Sequence, residues 1–176
     1  MKKFTKYILF ISLGLLCSCS DYLDIVPDNV TTLDIVFNNK NTAQRYLANC
    51  YHFVPDHGSV KRIPGMGAGH ECWFYTDKDS YFDNEVSFYI ARGLQNTNAP
   101  YANYWDGEGG SKLPMFRAIR ECNIFLSYVR DQHKVNDLTD SERKRWIAEV
   151  NVLKAYYHFF LFEHYGPIPI VDEALP

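Results

Sequence analysis

The sequence contains no apolar run long enough to cross a bilayer as a helix. Its longest, Tyr7 to Leu16, is about half of the ~20 residues that such a span needs. Positive charge is not in surplus either. Eighteen Lys and Arg stand against twenty-one Asp and Glu, a net charge of -3, which leaves no basic footprint for nucleic acid. Five cysteines occur in 176 residues without a CxxC pair, which argues against a structural zinc site and implies no disulfide framework. No Gly-x-Ser-x-Gly elbow, phosphate loop or dinucleotide fingerprint is present, and no series of strand-like segments. What the chain does have is aromatic surface, 16% of residues, with thirteen Tyr and twelve Phe. Such surface either fills a helical core or faces a ligand, and composition does not separate the two.

The first eighteen residues read as a signal rather than as part of the fold. Lys2, Lys3 and Lys6 make a positive start to the short apolar run. The run ends in Leu16-Cys17-Ser18-Cys19, which resembles the bacterial lipobox: a Leu three positions before a Cys, with small residues between. Cys19 is the expected lipidation site, because acylation at Cys17 would put Leu16 at the cleavage point, where a small residue is needed. At ~0.8 kcal/mol per buried methylene, several acyl chains anchor a protein with no spanning helix. Residues 19–31 then form a tether, acidic at Asp21, Asp24 and Asp28 and interrupted by Pro27. Of the other cysteines, Cys50, Cys72 and Cys122 are read as buried thiols, with one bridge among them left open.

Residues 32–176 carry a helical pattern around one long insertion. A short helix is expected over Leu33 to Phe37. The first clear helix follows a cap at Asn41, with Gln44 three residues on, buries Ala43, Tyr46, Leu47, Cys50 and Val54, and stops at Pro55. A second runs from about Ser111 to Gln132, with Pro114 in its first turn and Phe116, Ile119, Asn123, Leu126 and Val129 or Arg130 on one stripe. A third opens on the capping-box pair Thr139 and Glu142 and continues to Tyr165, where Gly166, Pro167 and Pro169 end it. This third helix has two apolar stripes. One is Trp146, Val150, Leu153, Tyr157 and Phe160; the other is Ala148, Val152, Ala155, Phe159 and Phe162. A helix apolar on two sides needs partners on both. The second helix covers one side; either the first helix covers part of the other or the missing partners lie beyond Pro176, and the second reading predicts an incomplete domain of stacked helical hairpins, each burying its faces against neighbours.

Between the first two long helices, residues 56 to 110 are rich in Gly and aromatics, with a short helix expected around Glu85 to Arg92. A loop region this long is usually functional or disordered, and the aromatic content argues against disorder. It reads as an ordered, ligand-facing insertion.

Three segments carry a family resemblance. Ala148-Glu149 followed by Leu153-Lys154-Ala155-Tyr156-Tyr157, then Tyr165-Gly166-Pro167-Ile168-Pro169, is similar to the SusD/RagB signature. Trp105 followed by Ile119-Arg120-Glu121-Cys122-Asn123-Ile124-Phe125-Leu126 resembles that family's next helix upstream, and Cys19-Ser20-Asp21-Tyr22-Leu23-Asp24 with Pro27 resembles its mature start. Lys154 stands where the family more often has Arg. The resemblance implies a mainly α fold of tetratricopeptide-like hairpins and a lipoprotein on the outer face of the outer membrane. It also implies a partner, a TonB-dependent (SusC-like) transporter barrel that receives oligosaccharides or other nutrients. No cofactor, no metal and no catalytic residue are implied. Full members of the family are several hundred residues long, so the chain would be the N-terminal part of such a domain.

Sugar binding needs flat aromatic faces beside polar groups that take hydroxyls. Trp73, Tyr75, Asp79, Tyr81, Arg92 and Asn98 in the insertion offer these types and are the candidate ligand residues. Trp105 is expected to be structural, since it leads into the second helix. The aromatics of the third helix follow the helical period and read as core. Asp77, Asp79 and Asp83 lack the third alternating ligand, the central Gly and the final Glu of an EF-hand, and the histidines lack metal-ligand spacing. Two rival readings stand beside a glycan binder. A lipid-anchored glycoside hydrolase would need two carboxylates across a cleft, about 5 to 10 Å apart, and a helical scaffold would bind only protein.

Overall fold

The computed structural model describes residues 32–59, 63–65, 67–69, 86–98, 100–108 and 112–174. The chain divides into two units, Met1–Ile35 and Val36–Pro176. Of the first, only residues 32–35 are described. They begin the one-turn helix α1, Leu33–Val36, where Ile35 N–H reaches Thr32 O at 3.1 Å.

The second unit is helical, with no strand among the described residues. Its elements are α2 (Lys40–Tyr51), α3 (Val86–Ala91), α4 (Met115–Arg130) and α5 (Asp140–Tyr165). Helices α4 and α5 form an antiparallel hairpin, and α2 packs against both. Ile119, Cys122, Phe125 and Val129 of α4 meet Trp146, Val150, Tyr157 and Phe160 of α5 in the core, where Ala43, Leu47 and Cys50 of α2 join them. Phe37 is fully buried beside them and stacks on Tyr128 at 4.5 Å, while its carbonyl accepts from Val135 N–H at 3.0 Å.

The helix boundaries follow local chemistry. Thr139 caps α5 as a complete capping box with Glu142, as expected, and Gly166 ends it with φ 75°. The expected cap of α2 shifts by two residues. Asn39, not Asn41, holds extended backbone angles and accepts from Thr42 N–H at 3.1 Å, because the anchored Phe37 fixes where the chain enters the helix. At the other end α2 stops at Tyr51, short of Pro55. The chain unwinds there through three-residue bonds from His52 N–H to Asn49 O and Val54 N–H to Tyr51 O. Val54, expected in the buried stripe, is therefore exposed, and Phe53 is buried. Helix α4 is shorter than the span from Ser111 to Gln132. Lys112 at φ 50° and Pro114 in an extended cap conformation keep residues 112–114 out of it, and an extended Asp131 closes it. Of its expected stripe, Phe116 is only partly buried and Arg130 is exposed, whereas Val129 is buried.

The family-like segments prove to be the fasteners of this bundle. Tyr157 donates to Cys50 O at 2.5 Å and ties α5 to α2. Beyond Gly166 the chain doubles back along α5. Lys154 Nζ holds Asp172 through its carbonyl and carboxylate, both at 3.1 Å. Asn123, buried on α4, donates to Val171 O and Glu173 O, both at 3.1 Å. His158 Nδ1 lies 2.8 Å from Lys154 O, and its Nε2 accepts from Val171 N–H at 3.2 Å, which fixes the neutral tautomer with the proton on Nδ1. Cys50 and Cys122 are free and fully buried, and their mutual hydrogen bond, with burial, pushes the Cys50 thiol far up.

The two-stripe pattern of α5 is realised as opposite faces. Trp146, Val150, Leu153, Tyr157 and Phe160 are buried, whereas Val152, Phe159 and Phe162 are 68%, 58% and 55% exposed. Ala148 and Ala155 on the same outer face are exposed too. No described helix covers this stripe.

Candidate functional site

The described part of the Gly- and aromatic-rich insertion meets the hairpin where α5 ends and α4 begins. Residues 94–98 and 100–105 cross that end as a loop fixed at several points. Gln95 Oε1 accepts from Tyr101 N–H at 2.8 Å and Ala102 N–H at 3.3 Å, closing the loop on itself. Tyr101 stacks on Tyr89 of α3, ring centroids 4.0 Å apart and planes within 4°. Tyr104 is buried against Phe160 and His164, and its carbonyl accepts from Met115 N–H at 2.9 Å. Tyr165 supplies the last tie. Its hydroxyl accepts from Tyr104 N–H at 2.8 Å and donates to Ala102 O at 3.3 Å. Burial is the main cause that pushes this phenol above its usual range, so it stays protonated and keeps both bonds.

A cleft of about 340 Å³ opens between this loop and the end of α5, lined by Gln95, Asn96, Thr97, Pro100, Asn103, Trp105 and Tyr165. Trp105 and Tyr165 are 45% and 41% exposed, with their rings at 88° to each other and centroids 5.9 Å apart. Trp105 is braced from behind by Phe116 at 4.5 Å. The amides are oriented by bonds of their own. Asn96 Oδ1 accepts from Asn98 N–H at 3.1 Å, and Asn103 donates to Asp106 at 2.6 Å while accepting from Trp105 N–H at 3.1 Å. Among the described residues no charged side chain lines the cleft. Another depression, of about 390 Å³ on the outer side of α2, is lined by Asn41, Gln44, Arg45 and Ala48, with no aromatic face among the described residues. Among the described residues no three His, Cys, Asp or Glu side chains converge as metal ligands.

Of the residues expected to bind ligand, Trp73, Tyr75, Asp79 and Tyr81 lie outside the described residues, as do Cys19 and Cys72. Arg92 lies in the turn after α3 and Asn98 on the loop; both are exposed, and neither lines the cleft. Trp105 does lead into α4 and pack on it, as expected, but half its surface remains open to the cleft. Sequence reasoning missed Gln95, Asn96, Thr97, Asn103 and Tyr165 as cleft residues. The run Gln-Asn-Thr-Asn at 95–98 was the available signal, four neutral hydrogen-bonding side chains in a row beside an aromatic-rich loop. Tyr165 carried no such signal, because a helix exit points its side chain wherever the fold requires.

Comparison with known proteins supports the same frame. The family described as SusD-like, starch-binding and associating with the outer membrane, matches residues 21–175. No curated protein and no solved structure matches the chain. The match spans nearly the whole sequence, from the acidic start to the segment that doubles back along α5. Members of this family are binding proteins rather than enzymes. The chain belongs to the SusD-like family, whose members take part in glycan-binding nutrient uptake at the outer membrane.

Proposed function

We propose that the protein is a surface lipoprotein, anchored through Cys19, that captures oligosaccharides outside the cell and passes them to a TonB-dependent, SusC-like transporter barrel. The family match over residues 21–175 carries this reading. The lipobox-like Leu16-Cys17-Ser18-Cys19 supports the anchor. Residues 1–18 act as the signal, 19–31 as the tether and 32–176 as the N-terminal part of the helical domain. Within the insertion, Trp73, Tyr75, Asp79 and Tyr81, with Arg92 and Asn98, are the proposed ligand residues.

The outer stripe of α5 gives the fold reading its physical content. Ala148, Val152, Ala155, Phe159 and Phe162 recur at alternating steps of four and three, the 3.5-residue repeat of a helix-packing seam. A further helical hairpin of the same domain is the proposed partner for it. The same seam is the feature that favours the alternative, a scaffold that binds only protein.

The test uses the intact lipoprotein in its own outer membrane. Mild-detergent extraction should copurify it with a TonB-dependent barrel, and metabolic labelling with a fatty-acid probe should mark wild type but not Cys19→Ala. A protein that carries no label and is released as a soluble species would overturn the anchor. Labelled protein that brings down no barrel would overturn the transporter hand-over.

A further inference from the structure

We propose that the cleft between the 95–105 loop and the end of α5 is a subsite for one uncharged sugar residue of a glycan, built from residues other than the candidates named at 73–81. The proposal rests on the glycan-binding reading and adds a place and a selectivity to it.

Three observations carry it. First, the size fits: about 340 Å³ lies at the small end of the ~300–1,000 Å³ typical of ligand sites, the scale of a single ring rather than of a long chain. Second, the walls have the two chemistries a pyranose needs. Trp105 and Tyr165 meet at 88°, so a ring lying on one face has its edge against the other. Pyranose faces carry axial C–H groups, and these pack on aromatic surface. Around the rim Thr97 brings a hydroxyl and Gln95, Asn96 and Asn103 bring amide N–H groups, neutral partners for sugar hydroxyls, while the three amide oxygens already accept from backbone N–H groups. Third, the site is already ordered. The Tyr165 hydroxyl is held between Tyr104 N–H and Ala102 O, Trp105 is braced by Phe116, and Gln95 closes the loop from inside. A ligand therefore does not have to order the walls as it binds.

The charge pattern sets the ligand class. Among the described residues no Lys or Arg lines the cleft, so a uronate carboxylate or a sulfate would lose water without gaining a counter-charge from them. Asp106, beside the cleft and hydrogen-bonded to Asn103 at 2.6 Å, adds negative field. The occupant is accordingly a neutral sugar.

The experiment places 5-fluorotryptophan in the intact lipoprotein, whose three tryptophans are Trp73, Trp105 and Trp146, and assigns the Trp105 fluorine signal with Trp105→Phe. The probes are neutral malto-, xylo- and manno-hexaose and an oligogalacturonate of equal length, with calorimetry run in parallel. A neutral hexaose is expected to shift the Trp105 signal saturably, and oligogalacturonate to leave it in place. Thr97→Arg, at an exposed rim position, should weaken that binding about ten-fold or more at unchanged Tm, which keeps the test independent of any packing role of Trp105. A hexaose that binds by calorimetry but moves no Trp105 signal, with Thr97→Arg binding as wild type, overturns the subsite and leaves the glycan-binding function standing. Oligogalacturonate shifting the signal as strongly as a neutral hexaose overturns the selectivity. Failure of every probe to bind the wild-type protein overturns the glycan-binding reading and the subsite with it.

Discussion

Arg143 holds the turn of the α4–α5 hairpin, and replacing it with Met is the most informative perturbation of the fold. The guanidinium is buried and donates to four backbone carbonyls, Val129 O at 2.6 Å, Asp131 O at 3.1 Å, Lys134 O at 3.0 Å and Val135 O at 3.1 Å. Val129 is in the last turn of α4, whose final carbonyls have no partner within the helix and concentrate the negative end of its dipole. A single cation thus satisfies a helix end and closes the loop that follows it. A hydrogen bond to a charged group contributes about 1.5–3 kcal/mol net. The bond to Val129 is buried, so its carbonyl would be stranded without water, and the equally buried Val135 O would keep only the Leu138 N–H at 3.1 Å. The bonds to Asp131 and Lys134 are partly open, and water would replace the lost donor. Arg143→Met should therefore cost about 3–5 kcal/mol. At about 2–4 °C per kcal/mol for a chain of this size, Tm should fall by about 6–20 °C. Arg143→Lys should recover less than half, because one ammonium cannot reproduce a planar fork over four acceptors. Thermal unfolding followed by circular dichroism reads both. A fall below about 3 °C for Arg143→Met would refute the reasoning and mean that water or relaxation satisfies the loop. The cleft lies about 33 Å away along α5, at 1.5 Å per residue, so ligand binding below Tm should be unchanged.

Tyr165→Phe removes the hydroxyl that ties the loop to α5 and leaves Tyr104 N–H and Ala102 O short of a partner. The expected loss is about 1–3 kcal/mol, read by urea unfolding, and an unchanged midpoint would show that the hydroxyl ties nothing that matters. Glu142 accepts from Lys40 and from Thr139, and these bonds, Lys40's first, lower its carboxyl from 4.5 to about 2. Its contribution to stability is complete above about pH 4.5 and disappears as pH falls towards 2. Glu142→Gln should be less stable than wild type at pH 7 and equal to it below about pH 2; a difference independent of pH would show that the charge is irrelevant. The outer stripe is tested by Phe159→Ser with Phe162→Ser in the intact protein. If a further hairpin covers both rings, the pair costs several kcal/mol, at about 3 kcal/mol or more for each buried Phe cut to a small side chain; a neutral result would mean that the stripe stays in water.

The sequence by itself determined most of the helical frame, because those decisions are local. Thr139 with Glu142 and Gly166 with the following prolines set both ends of α5, since capping bonds and left-handed backbone are properties of a few adjacent residues. The 3.6-residue period placed Trp146, Val150 and Tyr157 in the core for the same reason. The family segments were legible as a pattern, but their work was not. That Asn123, Lys154 and His158 hold the chain as it doubles back after Gly166 depends on residues up to fifty positions apart in sequence. The cap of α2 at Asn39 was decided from outside the helix, by Phe37 packing on Tyr128 and bonding Val135. Arg143 reads in sequence as one more charge in Ser-Glu-Arg-Lys-Arg, and only the hairpin turn brings four carbonyls to it. The cleft was the least legible feature. Its amides lie at 95–103 and its second aromatic wall at 165, so the site exists only because the exit of α5 folds against the loop. Local propensity fixes elements; which side chains share a cavity is fixed by long-range packing, and no window of sequence contains it.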